Sequence, residues 1–206
     1  MSARARVCVS GLVLDRDGTL VDVVRDEETG TVQTAFHPSH LRLLPGVLDG
    51  LARAHAAGFV LAIATNQPGP AKGHFGAAAV TRTNDALVAM LADAGIPIAR
   101  VAVCMHHPEG GPGGDASLVG PCDCRKPKPG LIDGLVRDLS LDRAATWMIG
   151  DSAADVDAGT AAGVRTGLVF PAGRCELCPL RGGPTVRPTL SAPRLDALVD
   201  AILAQG

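Results

Sequence analysis

Apolar and polar positions along this chain fall into two alternating rhythms. Short continuous apolar runs at Val7–Leu14, Phe59–Ala64, Ile98–Val103, Thr146–Ile149 and Thr166–Phe170 read as strands buried on both faces. Helical periods lie between them, at Gly46–Ala57, Ala77–Ala94, Pro129–Leu139 and Ala153–Ala162. The second of these gathers Leu87, Met90 and Leu91 on one face, and the third opens on a proline, where a missing N–H costs little. Leu190–Leu203 reads as a closing helix. Strand–helix alternation predicts an α/β, Rossmann-like three-layer fold, with a central parallel sheet covered by helices on both faces. Such sheets bind ligands beyond the carboxyl ends of their strands. Asp15, Thr65, Cys104 and Asp151 each follow a strand, so all four are expected at one edge. Three segments lack either rhythm: Val21–Leu44, the Gly/Pro-rich stretch His106–Lys128, and a tail over about 171–193. With 206 residues and no internal repeat, the expectation is a single domain over 1–206.

Composition narrows the function classes. Hydrophobic residues at 47% are enough for a packed core; aromatics at 2% leave the gap to Ala, Val, Leu and Gly, so the core is built from small aliphatics. A net charge of −2 with no Lys/Arg run argues against nucleic-acid binding, so any anionic ligand must be held by a few local groups. The longest apolar run, Ala56–Ala64, is far short of the roughly 20 residues of a membrane span. Nothing at the N-terminus resembles a cleaved signal, so the expected location is the cytoplasm, with reduced thiols and no membrane partner.

The chemistry concentrates in four segments. Asp15-Arg16-Asp17-Gly18-Thr19 ends the first strand, and two carboxylates two positions apart can share a hard cation such as Mg²⁺. A carboxylate can also attack phosphorus, while a second one moves the proton of the leaving oxygen. Gly150-Asp151-Ser152-Ala153-Ala154-Asp155 again joins a strand to a helix; Asp151 can complete a metal site, and Asp155 can support the loop from one helical turn away. Either acid could equally serve as an N-cap. Thr65-Asn66-Gln67 offers a hydroxyl and amides to an anion, and Arg125-Lys126-Pro127-Lys128 offers cations ahead of a helix.

Cysteines add a further constraint. Cys104-Met105-His106-His107 and Cys122-Asp123-Cys124 provide three thiolates and an imidazole, a set that suits tetrahedral Zn²⁺. On spacing alone either His106 or His107 can be the nitrogen ligand. Four protein ligands leave no open position, so such a zinc is structural and pins a loop over about 104–124. Cys8 reads as a core residue, and the pair Cys175/Cys178 as a C-x-x-C without evident partners.

The order D-x-D-G-T, Thr, Lys, G-D-x-x-x-D over Val7–Phe170 resembles the haloacid dehalogenase superfamily of phosphotransferases. C-x-H-H-P-E-G followed by C-D-C-R-K-P-K-P-G looks like the zinc loop of the branch holding heptose bisphosphate and histidinol-phosphate phosphatases. The resemblance implies Asp15 as nucleophile, Asp17 as general acid/base, and Thr65 and Lys126 as stabilisers of the phosphoryl group. It further implies Mg²⁺ on Asp15, the Asp17 carbonyl and Asp151, and zinc on Cys104, His106, Cys122 and Cys124, which selects His106. Arg125, Asn66 and Gln67 are the expected substrate contacts. The implied enzyme is cap-less and monomeric, and takes a small phosphorylated metabolite, preferably a sugar phosphate such as heptose 1,7-bisphosphate. Asp17-Gly18-Thr19-Leu20-Val21 lacks the Asn that follows the first motif in the heptose enzymes, and Pro68-Gly69 stand where those have Ser-Gly. Two other classes share parts of the pattern: a phosphoacceptor signalling domain, and a catalytically silent zinc-binding module.

Overall fold

The structure, a computed structural model, describes residues 9–25, 28, 30–170 and 187–205. Six strands form one parallel sheet: β1 (Gly11–Leu14), β4 (Val60–Asn66), β5 (Arg100–Cys104), β6 (Trp147–Gly150), β7 (Arg165–Val169) and β8 (Leu190–Ala192). Their spatial order is β5-β4-β1-β6-β7-β8. β1 is central, with Leu12 opposite Leu61 of β4 on one side and Trp147 of β6 on the other. A small antiparallel pair, β2 (Val24–Arg25) and β3 (Val32–Gln33), stands apart.

Side-chain alternation along the central strands divides the core in two. Leu12, Leu14, Leu61, Ile63, Trp147 and Ile149 point to one face. There they meet Val47 and Leu51 of α1 (Val47–Ala56), Leu87 and Leu91 of α3 (Ala77–Asp93), and Leu198 and Ile202 of α6 (Leu195–Leu203). Val13, Ala62, Ala64 and Met148 point to the other, against Ile132 and Leu135 of α4 (Gly130–Asp138) and Ala158 of α5 (Ala153–Ala161). Because every central position is covered, the strands can be apolar throughout, which is why they appear as runs rather than alternations. A short helix, α2 (Gly69–Lys72), follows β4.

The expected three-layer parallel fold is present, with local differences. Thr65, Asn66 and Cys104 are the last residues of their strands rather than the first beyond them. Leu190–Leu203 is not one helix: Leu190–Ala192 extends the sheet edge beside β7, and Pro193 separates it from α6. Three residues are too few for a strand to show its period, so the apolar positions merge with the helical pattern behind them. Val21–Leu44 is largely irregular as expected but contains the β2–β3 pair, and among the described residues it forms no separate cap. No helix among the described residues is long and apolar enough to cross a membrane. Cys8, Cys175, Cys178 and most of the tail lie outside the described residues.

Leu12 is fully buried where β4 and β6 flank β1. Leu12→Ala should cost about 2–5 kcal/mol, read as a lower urea midpoint with an unchanged m-value.

Candidate active site

The carboxyl ends of β1, β4, β5 and β6 bring the four chemical segments together. Asp15 leaves β1 anchored by its N–H to the carbonyl of Ile149, at 2.8 Å. The chain then turns sharply: Leu20 and Val21 both donate to the Arg16 carbonyl, and Gly18 donates to that of Val21. Gly18 has φ of +84°, and a Cβ there would lie 2.1 Å from Asp151 Oδ2. Glycine is therefore required twice, for the left-handed backbone and for the close approach of the first motif to the last. One carboxylate oxygen each from Asp15, Asp151 and Asp155 lies within 4.8 Å of the others, an all-oxygen set that suits a hard divalent cation.

A buried ammonium completes this cluster. Lys126 is 4% exposed, and its Nζ lies 2.8 Å from Asp15 Oδ1, 2.6 Å from Asp155 Oδ1 and 2.8 Å from the Ala64 carbonyl. Asp155 is itself held. Its Oδ2 accepts from the N–H and hydroxyl of Ser152, a capping box that starts α5. A Cβ on Gly150 would meet the Asp155 carboxyl carbon at 2.2 Å, so this acid also needs a bare backbone beside it. Burial pushes the Asp15 carboxyl up to about 8; Lys126 opposes that rise, while Asp155 and Asp151 add to it. Burial alone would lower the Lys126 pKa, but Asp15 and Asp155 outweigh it and hold the ammonium protonated. More negative charge than one lysine offsets is thus packed around Asp15, the condition a metal cation relieves.

Asp17 faces a different environment. Its Oδ2 accepts from Gln67 Nε2 at 2.6 Å and from Arg16 Nε at 3.1 Å, and its Oδ1 accepts from the Ala35 N–H at 3.2 Å. Two acids two positions apart therefore have separate surroundings, one against a lysine and acids, the other against an arginine and amides.

The cysteine motifs converge as well. Donor atoms of Cys104, His106, Cys122 and Cys124 lie within 4.8 Å of one another, and the three thiols are free. Cys124 Sγ is 2.8 Å from Cys104 Sγ and 3.4 Å from His106 Nδ1. His107 Nδ1 is instead engaged by the backbone of Glu109. No residue from 105 to 125 is buried, so this loop has no core of its own. Three sulfurs and one imidazole in an uncored loop fit a structural zinc.

Two amide residues join the loop to the sheet. Asn66 Nδ2 donates to the Lys126 carbonyl at 3.0 Å, and Lys126 N–H donates to Asn66 Oδ1 at 3.1 Å. Gln67 N–H donates to the carbonyl of Cys104 at 2.7 Å. These placements differ from the expected substrate contacts. Gln67 is fully buried, its amide nitrogen shared between Asp17 and Thr65 Oγ1, and the Asn66 amide is turned to the lysine's backbone. Asn66 is the last residue of β4, and Gln67, one position beyond it, is turned inward by its bonds to the Cys104 carbonyl, Asp17 and Thr65. Thr65 is 1% exposed beside them. Arg125 is half-buried, its guanidinium donating to the His106 carbonyl at 3.3 Å. Arg16, buried between the two acids, was not singled out by its sequence; the only signal is an arginine inside D-x-D.

Comparison with known proteins agrees with this architecture. A family model described as HAD-hydrolase-like matches residues 123–198, which include Lys126, Asp151 and Asp155. The D-glycero-beta-D-manno-heptose-1,7-bisphosphate 7-phosphatase of Pseudomonas putida is 32% identical over 158 residues, 77% of this chain and 81% of that protein. The protein of the same name from Escherichia coli K12 is 32% identical over 166 residues, 81% of each chain. The crystal structure of D,D-heptose 1,7-bisphosphate phosphatase from B. bronchiseptica, complexed with magnesium and phosphate, superposes with a TM-score of 0.75 at 29% identity, covering 95% of this chain and 99% of that one. The chain belongs to the haloacid dehalogenase-like phosphatase family.

Proposed function

We propose that this phosphatase removes the 7-phosphate of D-glycero-D-manno-heptose 1,7-bisphosphate through an aspartyl-phosphate on Asp15. The observation that carries the reading is the ion-paired trio Asp15–Lys126–Asp155, with Asp17 two positions from the nucleophile in separate surroundings. The names borne by relatives that align over four-fifths of the chain supply the substrate.

Asp15, the backbone carbonyl of Asp17, and Asp151 would hold Mg²⁺, which supplies positive charge to the phosphoryl oxygens. The chain's own groups do the rest. An Asp15 carboxylate oxygen attacks phosphorus, and the bond to the sugar oxygen breaks as that oxygen takes a proton from Asp17. Asp17, now a base, takes a proton from water; the water oxygen attacks phosphorus, the Asp15–phosphorus bond breaks, and Asp15 is regenerated with release of phosphate. Lys126 stays protonated and offsets charge as it spreads from Asp15 to the phosphoryl group. Thr65 Oγ1 accepts from Gln67, so its own hydrogen is left to donate to a phosphoryl oxygen. Proton transfer by Asp17 distinguishes the chain from a phosphoacceptor domain, whose acyl phosphate must persist.

Cys104, His106, Cys122 and Cys124 would hold zinc with no open position, and a reducing cytoplasm keeps their thiols available. That loop carries Arg125, which grips the distal anionic end of the substrate as a monomeric, cap-less enzyme requires. Asn66 and Gln67 then act on substrate indirectly, through Lys126 and Asp17.

Steady-state assays on heptose 1,7-bisphosphate, histidinol phosphate and simple phosphomonoesters, with and without Mg²⁺, test the assignment. The highest kcat/KM should belong to the heptose bisphosphate; a preference for histidinol phosphate would replace the substrate, and no Mg²⁺-dependent release from any would remove the function. Asp15→Asn should reduce turnover to background, read as phosphate release by protein that is still folded. Gly18→Ala drives a Cβ into Asp151, so the Mg²⁺ concentration for half-activity should rise by about tenfold to a hundredfold, measured by Mg²⁺ titration of the rate. Removal of zinc by a soft-ligand chelator should lower Tm and activity together, and zinc, not Mg²⁺, should restore both.

A further inference from the structure

Arg16 lies between the two acids of the first motif, and its side chain is completely buried. A guanidinium remains charged at any ordinary pH, so burying one demands a partner for each donor. Its partners come from distant parts of the chain. Nε and Nη2 donate to Asp17, at 3.1 Å to Oδ2 and 3.2 Å to Oδ1. Nη1 donates to Asn84 Oδ1 of α3 at 2.6 Å. Nη2 also donates to Thr34 Oγ1 at 2.6 Å and to the Ala35 carbonyl at 2.7 Å.

Two of these contacts belong to a closed cycle. Thr34 Oγ1 accepts from Arg16 and donates to Gln67 Oε1 at 3.1 Å; Gln67 Nε2 donates to Asp17 Oδ2 at 2.6 Å, and Asp17 Oδ2 also accepts from Arg16 Nε at 3.1 Å, which closes the ring. Arg16 can only donate and the Asp17 carboxylate only accepts, so the directions of the two bonds between them through Thr34 and Gln67 are fixed. The Thr34 hydrogen must point to Gln67, and the Gln67 amide must present nitrogen to Asp17. Asn84 is 6% exposed and meets the cycle from outside through Arg16. Neither Asn84 nor Thr34 has a hydrogen bond to Asp15, Lys126 or Asp155 among the contacts described above.

We propose that Thr34 and Asn84 are positioning residues for the proton-transfer step, which hold the Asp17 carboxylate in place through Gln67 and Arg16. The proposal rests on the reading of Asp17 as general acid/base. A carboxylate that must reach first a leaving oxygen and then a water needs a fixed direction, and about 1 Å of misplacement can cost a hundredfold in rate. The competing account is that the cycle only ties residues 34–35 and α3 to the first motif. That account lowers stability and affects every substrate alike, whereas positioning of a proton donor depends on how much the leaving group needs the proton.

The test uses the full-length, metal-replete enzyme with Thr34→Val and Asn84→Leu. An alkyl phosphate is compared with p-nitrophenyl phosphate, whose leaving group departs without protonation and whose burst reports phosphorylation of Asp15 alone. For the alkyl phosphate, kcat should fall by about tenfold or more with KM changed by less than about twofold, while the nitrophenolate burst rate stays within about threefold of the parent. Thr34→Ser and Asn84→Asp, which keep the hydroxyl and the acceptor, should recover most of the loss. Equal losses in the burst and in alkyl-phosphate turnover, or no loss in a folded variant, would overturn the proposal. Asn84→Leu alters an interior position; should it fail to fold, the half-buried Thr34 carries the test alone. Asp17→Asn is run alongside. If it does not discriminate between the two leaving groups, the acid/base assignment itself fails; if it does and Thr34→Val does not, only the positioning role fails.

Discussion

The structure depends on one buried ammonium. Lys126 lies beneath the catalytic edge with Asp15 on one side and Asp155 on the other, all three removed from most solvent. Removing either acid's partner would leave an uncompensated charge in a dry site, so the three segments that carry them are bound to one geometry. β1 must end where Asp15 reaches the ammonium, α5 must start where Asp155 can both cap it and reach inward, and the loop before α4 must deliver the lysine from a third direction. Gly18 and Gly150 are the concessions in backbone that let these approaches happen, since a Cβ at either would lie within the neighbouring carboxyl group.

Delivery of the lysine is the demanding part, because no residue from 105 to 125 in the loop that precedes it is fully buried. Its fixed points include the sulfur and imidazole cluster at one end, the bonds of Gly111 and Asp115 to α2, the Asn66 clasp on the Lys126 backbone, and the Cys104 carbonyl bonded to Gln67. Gln67, just beyond β4, both anchors the loop through the Cys104 carbonyl and reaches Asp17 and Thr65. Loop and sheet edge therefore share their supports, and a disturbance at the cysteines reaches both acids of the first motif within a few bonds.

What the sequence made legible follows from how far each signal reaches. Apolar runs announced the parallel strands because both faces are buried, and D-x-D-G-T, G-D-x-x-x-D and the cysteine spacings are local patterns whose chemistry needs neighbours in sequence. Asp155 was visible as a supporting acid, but its pairing with Lys126 was not. The inward turn of Asn66 and Gln67 escaped notice because two polar residues at a strand end look the same whether they face solvent or a buried acid. The Arg16 contacts with Thr34 and Asn84 span 18 and 68 positions, and no local pattern marks them. β8 was lost for a different reason, since three residues cannot display a period.

The most direct test of the central claim is to catch the phosphoryl group on the protein. Single-turnover reaction with the heptose bisphosphate, quenched in acid within the first turnover and read by peptide mass spectrometry, should show a phosphoryl adduct on the peptide containing Asp15, confined to that residue and labile to hydroxylamine. Product formation with no adduct at any quench time, or an adduct on another residue, would contradict it.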